Sequence, residues 1–162
     1  MPRARLVKGG ERLRDQINKR FPGRDKASDG WIGDRAHSQR KSFHNPDSRG
    51  WVHAIDIDEN MGKRGKWRRG RTARVLASQL NAYAISGLPG ADRLLHIVYE
   101  DQVSSGTYKR KFWVFRGSGY SHFQHIHVSF STTGETNGKV WPLPILTRNP
   151  VQKLRWRRAL KR

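Results

Sequence analysis

The run His125-Ile126-His127-Val128-Ser129-Phe130 constrains this chain more than any other segment. Successive side chains of a β-strand point to opposite faces, so a strict apolar/polar alternation marks a half-buried strand. Ile126, Val128 and Phe130 make one face, which is expected in the core. His125, His127 and Ser129 make the other. Two imidazoles then stand side by side on a rigid element. Neutral imidazole nitrogen suits Zn²⁺, and a strand fixes the direction of the lone pair. The pattern therefore predicts a strand with one apolar face, whose other face either serves a metal or carries two partly exposed histidines on a sheet edge.

Two more features strengthen the metal reading. His122 lies three residues before His125, giving His-x-x-His-x-His. Upstream, Ser42-Phe43-His44-Asn45-Pro46-Asp47 places a histidine in a turn-rich loop, and Val52-His53-Ala54-Ile55-Asp56-Ile57-Asp58 places an aspartate in a short strand. His44, Asp56 and one His of the later strand would make a two-His, one-carboxylate zinc site with a position open for water. A catalytic zinc needs that opening, because its bound water becomes a usable nucleophile near neutral pH. Strand alternation sets Asp56 on one face with Ala54 and Asp58, and sets His53, Ile55 and Ile57 on the other. His53 reads as structural, Asp58 as a strand-end carboxylate, and Asp47 as an acid closing a turn through its own backbone. His96, within Leu94-Leu95-His96-Ile97-Val98-Tyr99, also reads as structural.

These residues resemble the zinc peptidases that include D-Ala-D-Ala carboxypeptidases, L-alanyl-D-glutamate endopeptidases, murein endopeptidases and the hedgehog signalling domain. The family pattern is Ser-x-His, a short gap, Gly-x-Ala-x-Asp, then a His near the domain's end. Ser42-x-His44 corresponds to the opening and Ala54-Ile55-Asp56 to the close, with a longer gap than in the bacterial carboxypeptidases. Ser-Asp-Gly-x-Ile-Gly-Asp at 28–34 and His-Asn-Pro-Asp at 44–47 are similar to lysins of phages that infect actinobacteria. The resemblance covers roughly residues 10–132. It implies one zinc held by His44, Asp56 and His127, with His125 beside the substrate oxygen.

Many relatives carry a Glu three or four residues before the His that ends the motif. Here those positions before His127 hold Gln124 and Phe123. His122, spaced as in the murein endopeptidase branch, is the expected base in its place, with Glu100 in reserve. An imidazole with an ordinary pKa of about 6.5 suits proton transfer at neutral pH. Parity would set His122 opposite His125, so the chain is expected to be still in a loop at Tyr120-Ser121-His122. His37 and Arg40 precede the first ligand, in a region that relatives use to hold a substrate carboxylate or to stabilise an oxyanion. A guanidinium suits that task through bidentate hydrogen bonding.

The 162 residues suffice for one domain with a real core. A peptidase domain is expected over 1–149, with its core at about 10–132, followed by a basic C-terminal helix or tail at 150–162. The absence of cysteine excludes a disulfide framework and a thiolate metal site. Net charge is +20, concentrated in blocks from Lys63 to Arg71 and from Lys153 to Arg162. Such a field attracts polyanions and speeds association. Expected partners are peptidoglycan and anionic wall polymers. No apolar run reaches transmembrane length, and the basic N-terminus lacks an apolar signal region. A monomer is expected, made in a host cytoplasm without a signal peptide and acting on the wall after a phage holin releases it.

The predicted fold is α+β: a small central antiparallel sheet carrying the zinc site, flanked by helices, with long loops. Helices are expected at 10–21 (Leu13, Ile17 and Phe21 inward) and at 71–86 (Val75, Leu76, Leu80 and Tyr83 inward). A long polar loop spans 24–50, and strands are expected at 52–57, 94–100, 111–116 and 123–131. Trp141-Pro142-Leu143-Pro144 reads as an extended segment packed on the domain. The leading functional reading is a zinc-dependent peptidase of cell-wall stem peptides, an endolysin. A metal-dependent nuclease or nucleic-acid-binding protein is the alternative suggested by charge, although the histidines do not fall into a compact zinc-finger hairpin and the basic blocks lack stacking aromatics. A non-catalytic module stabilised by zinc is the third reading.

Overall fold

In the computed structural model, which describes residues 2–62, 70–100, 102–105, 114–115, 122–148 and 156, the chain opens with strand β1 (Arg5–Leu6) and helix α1 (Lys8–Arg20). The helix forms where the apolar spacing predicts it. Leu13 and Ile17 are fully buried one turn apart, and Phe21 packs on the core just past the last turn. The loop at 24–50 contains one helical turn, α2 (Arg35–Ser38), capped by the Asp34 side chain accepting from the His37 amide. The strand expected at 52–57 is instead two pieces, β2 (Trp51–Val52) and β3 (Ala54–Asp58), separated by His53. Strand β2 pairs in parallel with β1. Then come α3 (Arg71–Ile85), β4 (Leu94–Glu100), β5 (Gln102–Ser105), β6 (Val114–Phe115) and the His strand, β7 (His122–Phe130). Strand β5 escapes sequence reading because its four residues include a single large apolar side chain.

Strands β3 to β7 form one sheet in the order β3-β7-β4-β5-β6, each neighbouring pair antiparallel. The architecture is α+β with a small antiparallel sheet. The last strand in sequence lies between β3 and β4 and is hydrogen-bonded along both edges, which makes it a stiff platform. Ile126, Val128 and Phe130 are completely buried on the core face, together with Ile55, Ile57 and Ile97. Helix α3 covers that face with Ala73, Leu76, Ala77, Leu80 and Ala84, an i, i+3, i+4, i+7 stripe. Val75 lies beside the stripe and is 42% exposed, so its expected inward placement is corrected. Leu76 and Leu80 one turn apart suffice to fill the contact.

Trp141 seals the core from the extended 141–144 segment. Its ring is 1% exposed and stacks under the Arg93 guanidinium at 3.7 Å, while its indole N–H donates to the Gly9 carbonyl at 2.9 Å. Arg93 is itself buried and donates to the carbonyls of Gly90, Asn137 and Lys139. Trp156 is helical and buried against Tyr83, ring centroids 5.7 Å apart, so the basic C-terminal segment contributes a core side chain. The rest of 149–162 and the basic block at 63–69 lie outside the described residues. Among the described residues no helix is long and apolar enough to cross a membrane.

The loop entering the site is fastened by a buried charge network. The fully buried Arg24 side chain bonds the Asp29 carboxylate, Asp29 Oδ1 accepts from the Asp58 amide at 2.8 Å, and Asp58 Oδ2 accepts from the Ser28 amide at 3.0 Å. Gly30 then pairs with Asp56 and covers the free edge of β3. Asp58 is thus a strand-end carboxylate, as its position suggests.

Removing the Trp141 side chain (Trp141→Ala) is expected to cost about 3–5 kcal/mol, the range for emptying a large aromatic site. The exposed Val75→Ala is expected to stay within about 0.5 kcal/mol. Denaturant unfolding of the two variants checks the pair.

Candidate metal centre

The β3/β7 register builds two thirds of the site. Asp56 sits directly opposite His127, Asp58 opposite His125, and Ala54 opposite Ser129. Directly opposed residues on one face place their side chains in contact. Asp56 Oδ1 accordingly lies 2.9 Å from His127 Nδ1. His125 occupies the rim of the same face, with Nε2 3.7 Å from Asp56 Oδ1.

The loop supplies His44. Its Nε2 lies 3.1 Å from His127 Nδ1 and 3.3 Å from Asp56 Oδ2. Local hydrogen bonds hold it there. The Gly33 amide donates to the His44 carbonyl at 2.8 Å, Ser42 Oγ accepts from the His44 amide at 3.2 Å, and the Asn45 side-chain amide donates to the carbonyls of His37 and Arg40. A Cβ at Gly33 would stand 2.6 Å from His37 Cβ and 2.9 Å from Asn45 Oδ1, so this close approach requires glycine. His44 Nδ1–H donates to the Trp31 carbonyl at 3.3 Å, which turns the Nε2 lone pair toward the other two donors.

His44 Nε2, His127 Nδ1 and the Asp56 carboxylate thus converge, with Oδ1 2.9 Å from His127, Oδ2 3.3 Å from His44 and the two ring nitrogens 3.1 Å apart, and the group can hold a metal ion. Bonds of about 2.0–2.2 Å to a tetrahedral ion set neighbouring donors about 3.4 Å apart, close to what these side chains already adopt. The donor set fits the ion with a small outward spreading of the side chains. Three protein donors leave a four-coordinate ion one further position.

The electrostatics of Asp56 and His127 point the same way. Burial pushes the Asp56 carboxyl up, but hydrogen bonds and charge from His127 and His44 outweigh it and hold Asp56 well below the usual carboxylate range. Burial dominates at His127, pushing its imidazole down toward the neutral, ligating form. Burial also disfavours charge on His44, yet Asp56 and the Trp31 carbonyl outweigh it and raise that imidazole above its ordinary value. A carboxylate held ionised between two histidines is a place for a cation.

A second group, Asp47, His53 and Glu135, also has the composition of a metal site. Arg49 already fills it. The Arg49 guanidinium donates to Glu135 through both Nη atoms and to Asp47 Oδ2 at 2.9 Å, the same oxygens that face His53 Nε2. A cation there would meet the guanidinium. The sequence reading stands: His53 Nδ1 meets the Phe130 carbonyl at 3.2 Å, and Asp47 closes its turn by accepting from the amides of Arg49 and Trp51.

The other candidates divide. His37 stands edge-on to His44 with ring centroids 5.4 Å apart, and its Nδ1 bonds Asp34 at 2.7 Å. Arg40 lines a different hollow, with Phe43, Asp47 and His53, that contains none of the three metal-facing residues. The backbone of His122 is already in β7, opposite Glu100, so the expectation of a loop there is corrected. A register irregularity between the Val98–His127 and Glu100–His122 pairs interrupts the alternation on which that expectation rested. Residues 120 and 121 and the His122 side chain lie outside the described set. The Glu100 carboxylate is engaged by Arg74 of α3, the helix on the core face of the sheet.

One residue near the centre was missed as such. His96 stacks on His127 with ring centroids 5.5 Å apart and bonds Ser129 Oγ at 3.0 Å. A β-bulge between Leu94 and His96 reverses the parity of β4 there. Leu94, Ile97 and Tyr99 therefore face the core while His96 faces the metal-binding group. The only sequence signal is one polar residue in an otherwise apolar strand.

In comparisons with known proteins, the chain matches no family model, no curated protein and no solved structure.

The geometry is expected to give one divalent ion per chain. Replacing His44, Asp56 or His127 with alanine should abolish that binding, and His53→Ala should spare it. Metal content after dialysis separates the two clusters, and metal lost only from His53→Ala would reverse the assignment.

Proposed function

We propose that this chain is a zinc-dependent peptidase that hydrolyses a peptide bond in the stem peptide or cross-link of bacterial peptidoglycan, in the manner of a phage endolysin. The supporting observation is the donor group of His44, Asp56 and His127 with a further histidine, His125, at its rim on the same strand face as His127. Two imidazole nitrogens and one carboxylate, with one position left for water, are the donor chemistry of a catalytic zinc site. The motif order that resembles the zinc peptidases supports the substrate class.

When bound, zinc supplies Lewis acidity toward a carbonyl oxygen and a water that ionises near neutral pH. The chain supplies the rest. His125, partly exposed beside Asp56, is placed to donate an N–H to negative charge developing on the substrate oxygen. His122 takes the proton and returns it to the leaving amine, as its spacing implies. As an imidazolium, with Nδ1–H donating to Asp34, His37 would present Nε2–H to a substrate carboxylate. Asp34 fixes that ring, so the position of Nε2 is set before substrate arrives. The charge of +20 holds the enzyme on an anionic wall by forces that reach about 8 Å at physiological ionic strength. The target lies outside the host membrane, and a holin would deliver the protein there.

Peptides released from purified peptidoglycan, identified by mass spectrometry, test the reaction. His125→Ala is expected to keep its metal and lose roughly 10²-fold or more in turnover, the scale of a lost oxyanion donor. Release of nucleotides from DNA or RNA with no release of wall peptides would replace this reading with the nuclease alternative. Wall binding is expected to weaken steeply with salt, while cleavage of a short soluble peptide stays nearly constant. Equal salt sensitivity of both would place the basic residues in the catalytic domain's own chemistry.

A further inference from the structure

His127 offers Nδ1 to the metal group, which leaves Nε2 to be satisfied on the other side of the ring. That atom lies 2.8 Å from Ser129 Oγ, and Ser129 Oγ lies 3.0 Å from His96 Nε2. Ser129 is completely buried and faces Ala54 on β3 and His96 on β4 across the central strand. Its hydroxyl carries one proton and can therefore donate in only one of these two directions at a time.

We infer that Ser129 and His96 are positioning residues for the metal centre, forming a relay that sets the tautomer and ring orientation of His127. With His127 Nε2–H donating to Ser129 Oγ and the Ser129 hydroxyl donating to His96 Nε2, the His127 Nδ1 lone pair is left facing Asp56 and His44. Without an acceptor at Ser129, His127 can carry its proton on Nδ1 instead, donating to Asp56 Oδ1 at 2.9 Å and closing the site to a cation. The relay thus selects the metal-ready tautomer over the competing internal hydrogen bond. Stacking of His96 on His127, and the edge-on contact of Phe43 with His96 at 5.1 Å between ring centroids, hold the second ring in place. The bulge in β4 between Leu94 and His96 turns His96 onto this face.

The inference rests on the metal-centre reading, and the experiment keeps the two apart. Zinc affinity is measured by competition with a chromophoric chelator for the parent, His127→Ala, Ser129→Ala, His96→Phe and the Ser129→Ala/His96→Phe double variant. His96→Phe keeps the stacking ring and removes the acceptor. Parent zinc binding lost in His127→Ala, with Ser129→Ala and His96→Phe each weakened about 10–100-fold, is the expected result, matching the usual effect of partners behind a ligating imidazole. The double variant should be no weaker than Ser129→Ala alone, because His96 acts through the hydroxyl. If Ser129→Ala fails to fold, His96→Phe alone carries the test. Affinities of the folded relay variants equal to the parent's would overturn the relay and leave the metal centre standing. Additive losses would overturn the route through Ser129. A parent that binds no zinc would remove the centre and this inference together.

Discussion

Everything about the candidate centre depends on the pairing of Asp56 with His127 across β3 and β7. Each residue alone is a partly buried polar side chain that costs free energy to desolvate. Opposed across the strands they approach to 2.9 Å, and the carboxylate stays ionised because two imidazoles face it. A pair of this kind tolerates no slip in register, since a shift of one residue would turn the polar side chains of the slipped strand toward the core. The apolar side chains alternating with the ligands, Ile55 and Ile57 on β3 and Ile126 and Val128 on β7, prevent that slip. The core thus sets the geometry of the metal face through the strands they share.

Two different mechanisms deliver the three metal-facing residues. Asp56 and His127 stand on hydrogen-bonded strands, one of them central to the sheet. His44 arrives on a loop, and the loop has its own fastenings: the Arg24–Asp29–Asp58 network, the Gly30 bridge to Asp56, and the contact at Gly33. Ordering a long loop costs conformational entropy residue by residue, with no strand ladder to offset it. The density of side-chain-to-backbone bonds between residues 24 and 53 offsets that cost. It also explains why the acids Asp29, Asp47 and Asp58 are spent on holding the loop.

The Asp47–His53–Glu135 group shows why composition alone does not make a metal site. Two carboxylates and an imidazole converge there much as in the first group, but an arginine four residues before His53 inserts its guanidinium between the acids. The chain supplies its own cation. At the first group no basic side chain among the described residues is bonded to Asp56 other than the histidines themselves.

By itself the sequence determined the apolar and polar faces of β7, the helices at α1 and α3, the sheet class, and the convergence of His44, Asp56 and His127. Each rests on a short-range period or on a motif order that survives without coordinates. Tertiary structure decided what periodicity cannot carry. It split the strand at His53 into β2 and β3, added β1 and β5, and started β7 at His122, because pairing partners set those boundaries. It moved His96 from an apparent core position to the metal face through one bulge, since an extra residue reverses parity for everything beyond it. It drew Glu100 to Arg74, and it filled the second acidic group with Arg49. Alternation along one strand is a local property of the chain, whereas parity across a bulge and the neutralisation of a distant carboxylate exist only once the strands and loops have met.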